Sequence, residues 1–200
     1  PRTGELQVSL FCYPQGGVSA LLRAWAAGSE PVRCLVPEGT ATAALTEFFG
    51  VENPAAGTTL RKGGVEVRIF HFLDQDRYDR LLWACDFNLV RGEDSFVRAQ
   101  WALRPLLWHI YPQQEGAHRP KLQAFLELYC AGLPPEIAAA VTQLWQAWNQ
   151  GDAAAVESAW PAFWRYRDEL QAHARLWAGR LAKTGDLANN LAQFCENLLK

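Results

Sequence analysis

The feature that most constrains this chain is an alternation of short apolar strands with short helices over its first 115 residues. Residues 6–12 read as a strand, followed by Pro14, Gly16 and Gly17 and a helix running to about Ala27. Residues 32–36 form a second strand closed by Pro37, and residues 40–49 a helix with Thr40 or Thr42 as N-cap. Residues 51–64 are rich in Gly, Pro, Ala and Thr and read as a surface loop. Residues 65–70 are a strand with Val65, Val67 and Ile69 on one face, and Asp74 starts a helix through Leu81, Leu82 and Trp83. A strand at 86–90, a helix at 94–101 and a last strand at 106–110 complete the series. Parallel strands need crossovers long enough for a helix, so this pattern predicts an α/β fold: a Rossmann-like parallel sheet with flanking helices.

The character changes after Tyr111-Pro112-Gln113. From His118 onward the sequence reads as helices only, giving an α/β core over 1–115 and C-terminal helices over 116–200, packed on the same domain. Leu122, Phe125, Leu126 and Tyr129 recur at helical spacing, as do Ile137, Val141, Leu144, Trp145 and Trp148, and later Leu187, Leu191, Phe194 and Leu198. Pro134 and Pro135 open one of these helices. Gly151-Asp152 begins another, which Pro161 should end or kink. Trp145, Trp148, Trp160, Trp164 and Trp177 lie on apolar stripes and read as packing anchors. An exposed subset would instead make a Trp-rich helical surface, the mark of a non-catalytic protein-interaction module.

Composition removes several functions. The formal net charge is -2, so there is no basic stripe for nucleic acid. No run of about 18 apolar residues could span a membrane, and the polar opening lacks the apolar segment of a signal peptide. The five cysteines, Cys12, Cys34, Cys85, Cys130 and Cys195, form no CxxC pair, and the four histidines have no metal-ligand spacing. Cys12, Cys34 and Cys85 sit in apolar runs and read as buried thiols of a reducing cytosol. The chain has no Met and starts at Pro1. Loss of an initiator Met before Pro and excision of a domain from a larger chain both account for this; strand-forming sequence near Leu6 fits the second.

The chemistry is expected beyond the carboxyl ends of the strands. Three segments meet there: 11–17 after the first strand, 70–75 after the third, and 91–95, where a glycine turns the chain from a strand into an acidic helix. That last turn aims backbone N–H groups and the positive end of the helix dipole at one spot, and Arg91 adds a cation of fork geometry. Aromatic faces, an amide, a cation, carboxylates and helix N-termini together suit a nucleotide sugar. Each also has a plainer role: Phe11 and Phe72 as core, Gln75 as an exposed first-turn residue, Asp94 or Ser95 as helix caps. Glu93 beside a diphosphate would be repelled by it, so it should meet sugar hydroxyls or N–H groups instead. The motifs GxGxxG, GxxxxGK[ST], HExxH and GxSxG are missing.

Residues 86–101, with the Arg91-Gly92-Glu93-Asp94-Ser95 segment at their centre, 108–113 and the opening 9–14 together resemble the C-terminal half of the bacterial protein-arginine rhamnosyltransferases that modify elongation factor P (EarP type). The resemblance runs over essentially the whole chain. It implies one half of a GT-B glycosyltransferase, the half that binds the donor dTDP-β-L-rhamnose, in an inverting transfer of rhamnose to an arginine of elongation factor P. By match to the family's motifs, Phe11 and Tyr13 would line the donor pocket, with Phe72 and Gln75 near the thymine. Arg91, Gly92, Glu93, Asp94 and Ser95 would hold the diphosphate and sugar, with Glu93 and Asp94 as the catalytic candidates and Ser95 on a phosphate. The resemblance implies no cofactor or metal, no nucleic-acid or membrane partner, and a bacterial cytoplasmic location. The family's N-terminal domain, with its general base and most of its grip on elongation factor P, has no counterpart in this sequence.

Overall fold

The computed structural model describes residues 4–15 and 17–198. Gly16, assigned above to the turn before the first helix, and the side chains of Leu187 and Leu198, counted in the last apolar stripe, lie outside the described residues. The α/β part runs β1 (Leu6–Leu10), α1 (Gly17–Ala27), β2 (Val32–Pro37), α2 (Thr42–Phe49), β3 (Thr59–Lys62), β4 (Val65–Phe70), α3 (Gln75–Ala84), β5 (Phe87–Arg91), α4 (Asp94–Trp101) and β6 (Leu106–His109). A 3-10 turn at Gln114–Gly116 leads into α5 (His118–Cys130), α6 (Pro135–Gln150), α7 (Ala153–Trp164), α8 (Arg167–Lys183) and α9 (Leu187–Leu198).

The six strands form one sheet in the order β3-β4-β2-β1-β5-β6. All pairs are parallel except β3 with β4. The chain starts at β1, moves outward through β2 to β4, then returns to the other side of β1 and moves outward again through β5 and β6. This reversal opens a crevice at the carboxyl ends of β1 and β5, the usual ligand position in such sheets. The central strands are apolar because both faces are covered: Val8, Cys34, Val67, Phe87 and Leu89 are all fully buried. Two polar side chains within the sheet are paired. Ser9 Oγ donates to Asn88 Oδ1 at 2.6 Å, and Asn88 Nδ2 donates to the Leu82 carbonyl at 3.1 Å, as burial of polar groups requires.

Three local expectations are corrected. Part of the loop at 51–64 is the antiparallel edge strand β3, whose only buried residue is Leu60; so little apolar patterning hid it, although Gly63-Gly64 is a hairpin signal. Neither Thr40 nor Thr42 caps α2. The N-cap is Ala41, held in the left-handed region with no side-chain cap bond. Pro161 does not end α7 on the spot: the helix continues to Trp164. The missing N–H leaves the carbonyl of Glu157 without its helical partner, and the helix stops within a turn. Asp74 caps α3 through the Arg77 N–H at 2.9 Å, and Asp152 caps α7 through the Ala155 N–H at 3.0 Å.

One contiguous core joins the sheet to the C-terminal helices. Trp145 and Trp148 on α6 are fully buried. Trp160 on α7 packs against Phe87 of β5 with ring centres 5.4 Å apart and stacks on Trp164 at 5.2 Å. Trp177 Nε1 donates to Gln100 Oε1 at 2.9 Å. The tryptophans of α6–α8 therefore serve the interior. Trp145, Trp148, Trp160 and Trp177 are buried and Trp164 is half-buried, so these five form no exposed Trp-rich surface, while Trp83 of α3 and Trp101 of α4 are about half exposed.

Candidate functional site

The crest of the sheet at β1 and β5 gathers the predicted residues around Arg91. Phe11 continues the pairing of β1 with β5 through its N–H to the Leu89 carbonyl at 2.9 Å. Arg91 ends β5, and its guanidinium carbon lies 4.1 Å from the centre of the Phe11 ring and 5.0 Å from that of Tyr13. A guanidinium over two rings gains cation–π attraction and a fixed orientation. Among the described residues no carboxylate forms an ion pair with it, so its charge stands ready for an anion.

Gly92 makes the turn. Its φ of +63° is left-handed, and a Cβ there would meet Tyr13 Oη at 3.2 Å, so both conformation and space call for glycine. Its N–H donates to the His109 carbonyl at 3.2 Å and its carbonyl accepts from Trp108 Nε1 at 2.7 Å. Glu93 is the exposed N-cap residue of α4 and makes no side-chain cap bond. The expectation that Asp94 or Ser95 caps this helix is corrected. Asp94, exposed, pairs instead with Arg98 at 3.0 Å, and Arg98 also holds Asp79 of α3 at 2.9 Å. The first N–H groups of α4 thus keep the unpaired character of a helix start, next to the Arg91 cation.

Phe11 also lines a cleft of about 250 Å³, together with Phe72, Leu73, Gln75, Asp94 and Ser95. Phe72 meets Phe11 edge-on with ring centres 5.7 Å apart and is 71% exposed, which removes its reading as core. Gln75 opens α3, and Tyr78, one turn further on the same helix face, packs behind Phe11 at 6.1 Å. Burial pushes the Tyr78 hydroxyl up to about 12. Its oxygen is enclosed without a hydrogen-bond partner; Ser95 is near enough to affect its titration, but no bond of ordinary geometry joins them. The volume is below the roughly 300–1,000 Å³ of pockets that enclose a ligand, so the cleft is an open surface rather than an enclosing pocket. Tyr13 lies beside both Arg91 and Gly92, and Glu93, the next residue, is exposed.

Sequence reasoning missed the residues behind this surface. His109 Nδ1 accepts the Tyr13 N–H at 3.2 Å, and its ring meets that of Tyr13 edge-on at 5.1 Å. Burial, with the Arg91 charge adding to it, lowers His109 from its ordinary 6.5 to about 4. Tyr111 touches Tyr13 edge-on at 5.6 Å. Asn149 of α6 donates to the Trp108 carbonyl at 2.8 Å and accepts the Ile110 N–H at 3.0 Å, pinning the exit of β6. His109 and Tyr111 lie in the 108–113 run singled out in the sequence, and Tyr78 stands at helical spacing from Gln75; Asn149 carried no signal. Cys12 beside the site is buried, and burial pushes its thiol up to about 12, far from a nucleophile's range. Among the described residues no group of three His, Cys, Asp or Glu could hold a metal ion.

Comparison with known proteins places this geometry in a family. Residues 1–196 match the family model described as Elongation-Factor P (EF-P) rhamnosyltransferase EarP. A protein-arginine rhamnosyltransferase of Pseudomonas putida is 46% identical over 196 residues, which is 98% of this chain and 52% of the relative. The Pseudomonas aeruginosa enzyme of the same name is 45% identical over 193 residues, 96% of this chain and 51% of the relative. A solved structure, described as the structural basis for EarP-mediated arginine glycosylation of translation elongation factor EF-P, superposes with a TM-score of 0.87 at 43% identity. It covers 98% of this chain and 61% of its own. The chain thus spans about half the length of the curated relatives it matches.

Proposed function

The chain belongs to the EarP family of elongation factor P rhamnosyltransferases, and on that premise we propose that it is the donor-binding C-terminal half of an inverting GT-B protein-arginine rhamnosyltransferase. The donor is dTDP-β-L-rhamnose and the acceptor an arginine of elongation factor P, gripped mainly by the other half. The observation that carries this reading is Arg91: an unneutralised guanidinium stacked on Phe11 and Tyr13 at the crevice between β1 and β5.

The physics of the transfer fits that position. As the sugar–phosphate bond breaks, negative charge gathers on the departing dTDP while the sugar becomes cation-like. Arg91 and the first amides of α4 stabilise that charge, and need no metal to do so. Phe11 and Phe72 offer faces for the base, with the Gln75 amide at its edge. Ser95, in the first turn of α4, reaches a phosphate oxygen. Glu93, exposed and without an internal partner, accepts from sugar hydroxyls, and Arg98 fixes Asp94 beside it. The acceptor guanidinium, with a pKa above about 12, becomes a nucleophile only when a carboxylate orients it and takes its proton; that base belongs to the other half. Among the described residues no helix is long and apolar enough to cross a membrane, and we assign the protein to the bacterial cytoplasm.

Titration calorimetry with dTDP-β-L-rhamnose, dTDP and UDP-glucose tests the reading. Saturable binding of both thymidine nucleotides, weak binding of UDP-glucose and loss of binding in Arg91→Ala are expected. No response to dTDP, or equal affinity in Arg91→Ala, would refute it.

A further inference from the structure

We infer that His109 is a positioning residue of the donor site: it ties the turn after β1 to the turn after β5 and so holds Tyr13 against Arg91. The inference rests on the donor-site reading above. The direct pairing of β1 with β5 stops at Phe11, whose N–H meets the Leu89 carbonyl, short of Tyr13 and Gly92. β6, which ends at His109, pairs with β5 and not with β1, so the backbone of β6 reaches only the turn after β5. The His109 carbonyl takes the Gly92 N–H at 3.2 Å, and the His109 side chain crosses to the other turn, where Nδ1 takes the Tyr13 N–H at 3.2 Å.

The direction of that second bond fixes the state of the ring. A backbone N–H can only donate, so Nδ1 must be the bare acceptor and the neutral ring must carry its proton on Nε2. Burial beside the Arg91 charge keeps the ring neutral over the physiological range. The imidazole edge also supports the Tyr13 ring at 5.1 Å, and Trp148 backs the imidazole at 6.0 Å. Gln15, in the same turn as Tyr13, is pinned to Trp148. With its amide oriented to satisfy both groups, it donates to the Trp148 carbonyl at 2.8 Å and accepts from Nε1 at 3.0 Å. The backbone of the β1 turn is therefore held from α6 and β6 together, and Arg91 stacks on the ring that His109 supports.

Two substitutions in the full chain separate positioning from mere packing. His109→Phe keeps a ring and removes the acceptor; His109→Asn gives up the ring and restores an acceptor oxygen near the place of Nδ1. In His109→Phe the Tyr13 amide should exchange faster with solvent, and the Kd for dTDP should rise roughly tenfold, the scale of one buried hydrogen bond left unmade. His109→Asn should recover most of both, although it removes more packing and melts lower. An unchanged Kd in His109→Phe, where the unsubstituted chain binds dTDP and Arg91→Ala does not, overturns the role of His109 alone. So does equal weakening in both variants, which would mark the ring as filler. Failure of the unsubstituted chain to bind dTDP, with Tyr13 exchange still accelerated in His109→Phe, overturns the donor-site reading and with it the purpose of the tie.

Discussion

Glu93 and Ser95 are two positions apart in sequence and differ in what each would do. Glu93 is exposed and makes no cap bond, so nothing in the fold depends on its carboxylate. Glu93→Ala should abolish transfer by the two-domain enzyme while leaving the melting temperature within about 2 °C, the range of an ordinary surface substitution. A large drop in melting temperature would mark Glu93 as structural. Ser95→Ala removes one hydroxyl from the cleft and should raise the dTDP Kd about five- to tenfold; an unchanged constant contradicts the phosphate contact. His109 carries a pH signature of its own. Its pKa falls from 6.5 in the unfolded chain to about 4 in the folded one, so between these values the unfolded state binds more protons. Stability is then fully present above about pH 6.5 and is lost as pH falls toward 4, by an amount on the order of 3 kcal/mol. Thermal melts from pH 7 to pH 4.5 should show a steeper loss in the unsubstituted chain than in His109→Asn; parallel curves would mean that another group carries the acid sensitivity.

Among the elements, α6 has the widest influence on the site without touching it. Trp148 backs His109 and Gln15, while Asn149 replaces a missing strand neighbour at the exit of β6. Asn149 Nδ2 also donates to the Trp145 carbonyl at 2.8 Å. Asn149→Ala leaves the Ile110 N–H and the Trp108 carbonyl without these partners, a cost of about 2–4 kcal/mol. The melting temperature should fall on the order of 5–10 °C, and a fall under 2 °C would show that water replaces the amide. Helix α4 illustrates the opposite case. Its start was legible from Gly92 and the acidic residues that follow. Which of them caps it was not, because the choice of Arg98 as partner for Asp94 depends on Asp79 from α3, a residue distant in sequence. β3 was lost for a similar reason: an edge strand with one buried side chain has almost no pattern of its own.

At the scale of the molecule, one core runs from the sheet into α5–α8, so a ligand at the crest is coupled to the stability of the whole. A ligand that binds only the folded state at 100 times its Kd adds about 2.7 kcal/mol. Saturating dTDP should therefore raise the melting temperature by roughly 5–10 °C, and UDP-glucose at the same concentration by far less. Equal shifts with both nucleotides would deny this surface its thymidine preference. The small, open cleft belongs at this scale too. On the proposed reading, a surface of about 250 Å³ would hold one end of a nucleotide sugar and leave the rest of it uncovered.

The order of the five parallel strands and their helices, the starts of α3 and α7, the buried thiols and the meeting of the three segments at the crest of the sheet were readable from the chain alone. Each depends on contacts within one element or on apolar periodicity, which neighbouring residues already encode. The resemblance of the Arg91–Ser95 run supplied the family. Folding in three dimensions decided the rest: that Arg91 lies over Phe11 and Tyr13, that Asp94 is claimed by Arg98, that the tryptophans of α6–α8 turn inward, and that His109 reaches across β5 to hold Tyr13. These are pairings between groups tens of residues apart, chosen by sheet order and by the need to satisfy buried polar groups, and no local pattern records them.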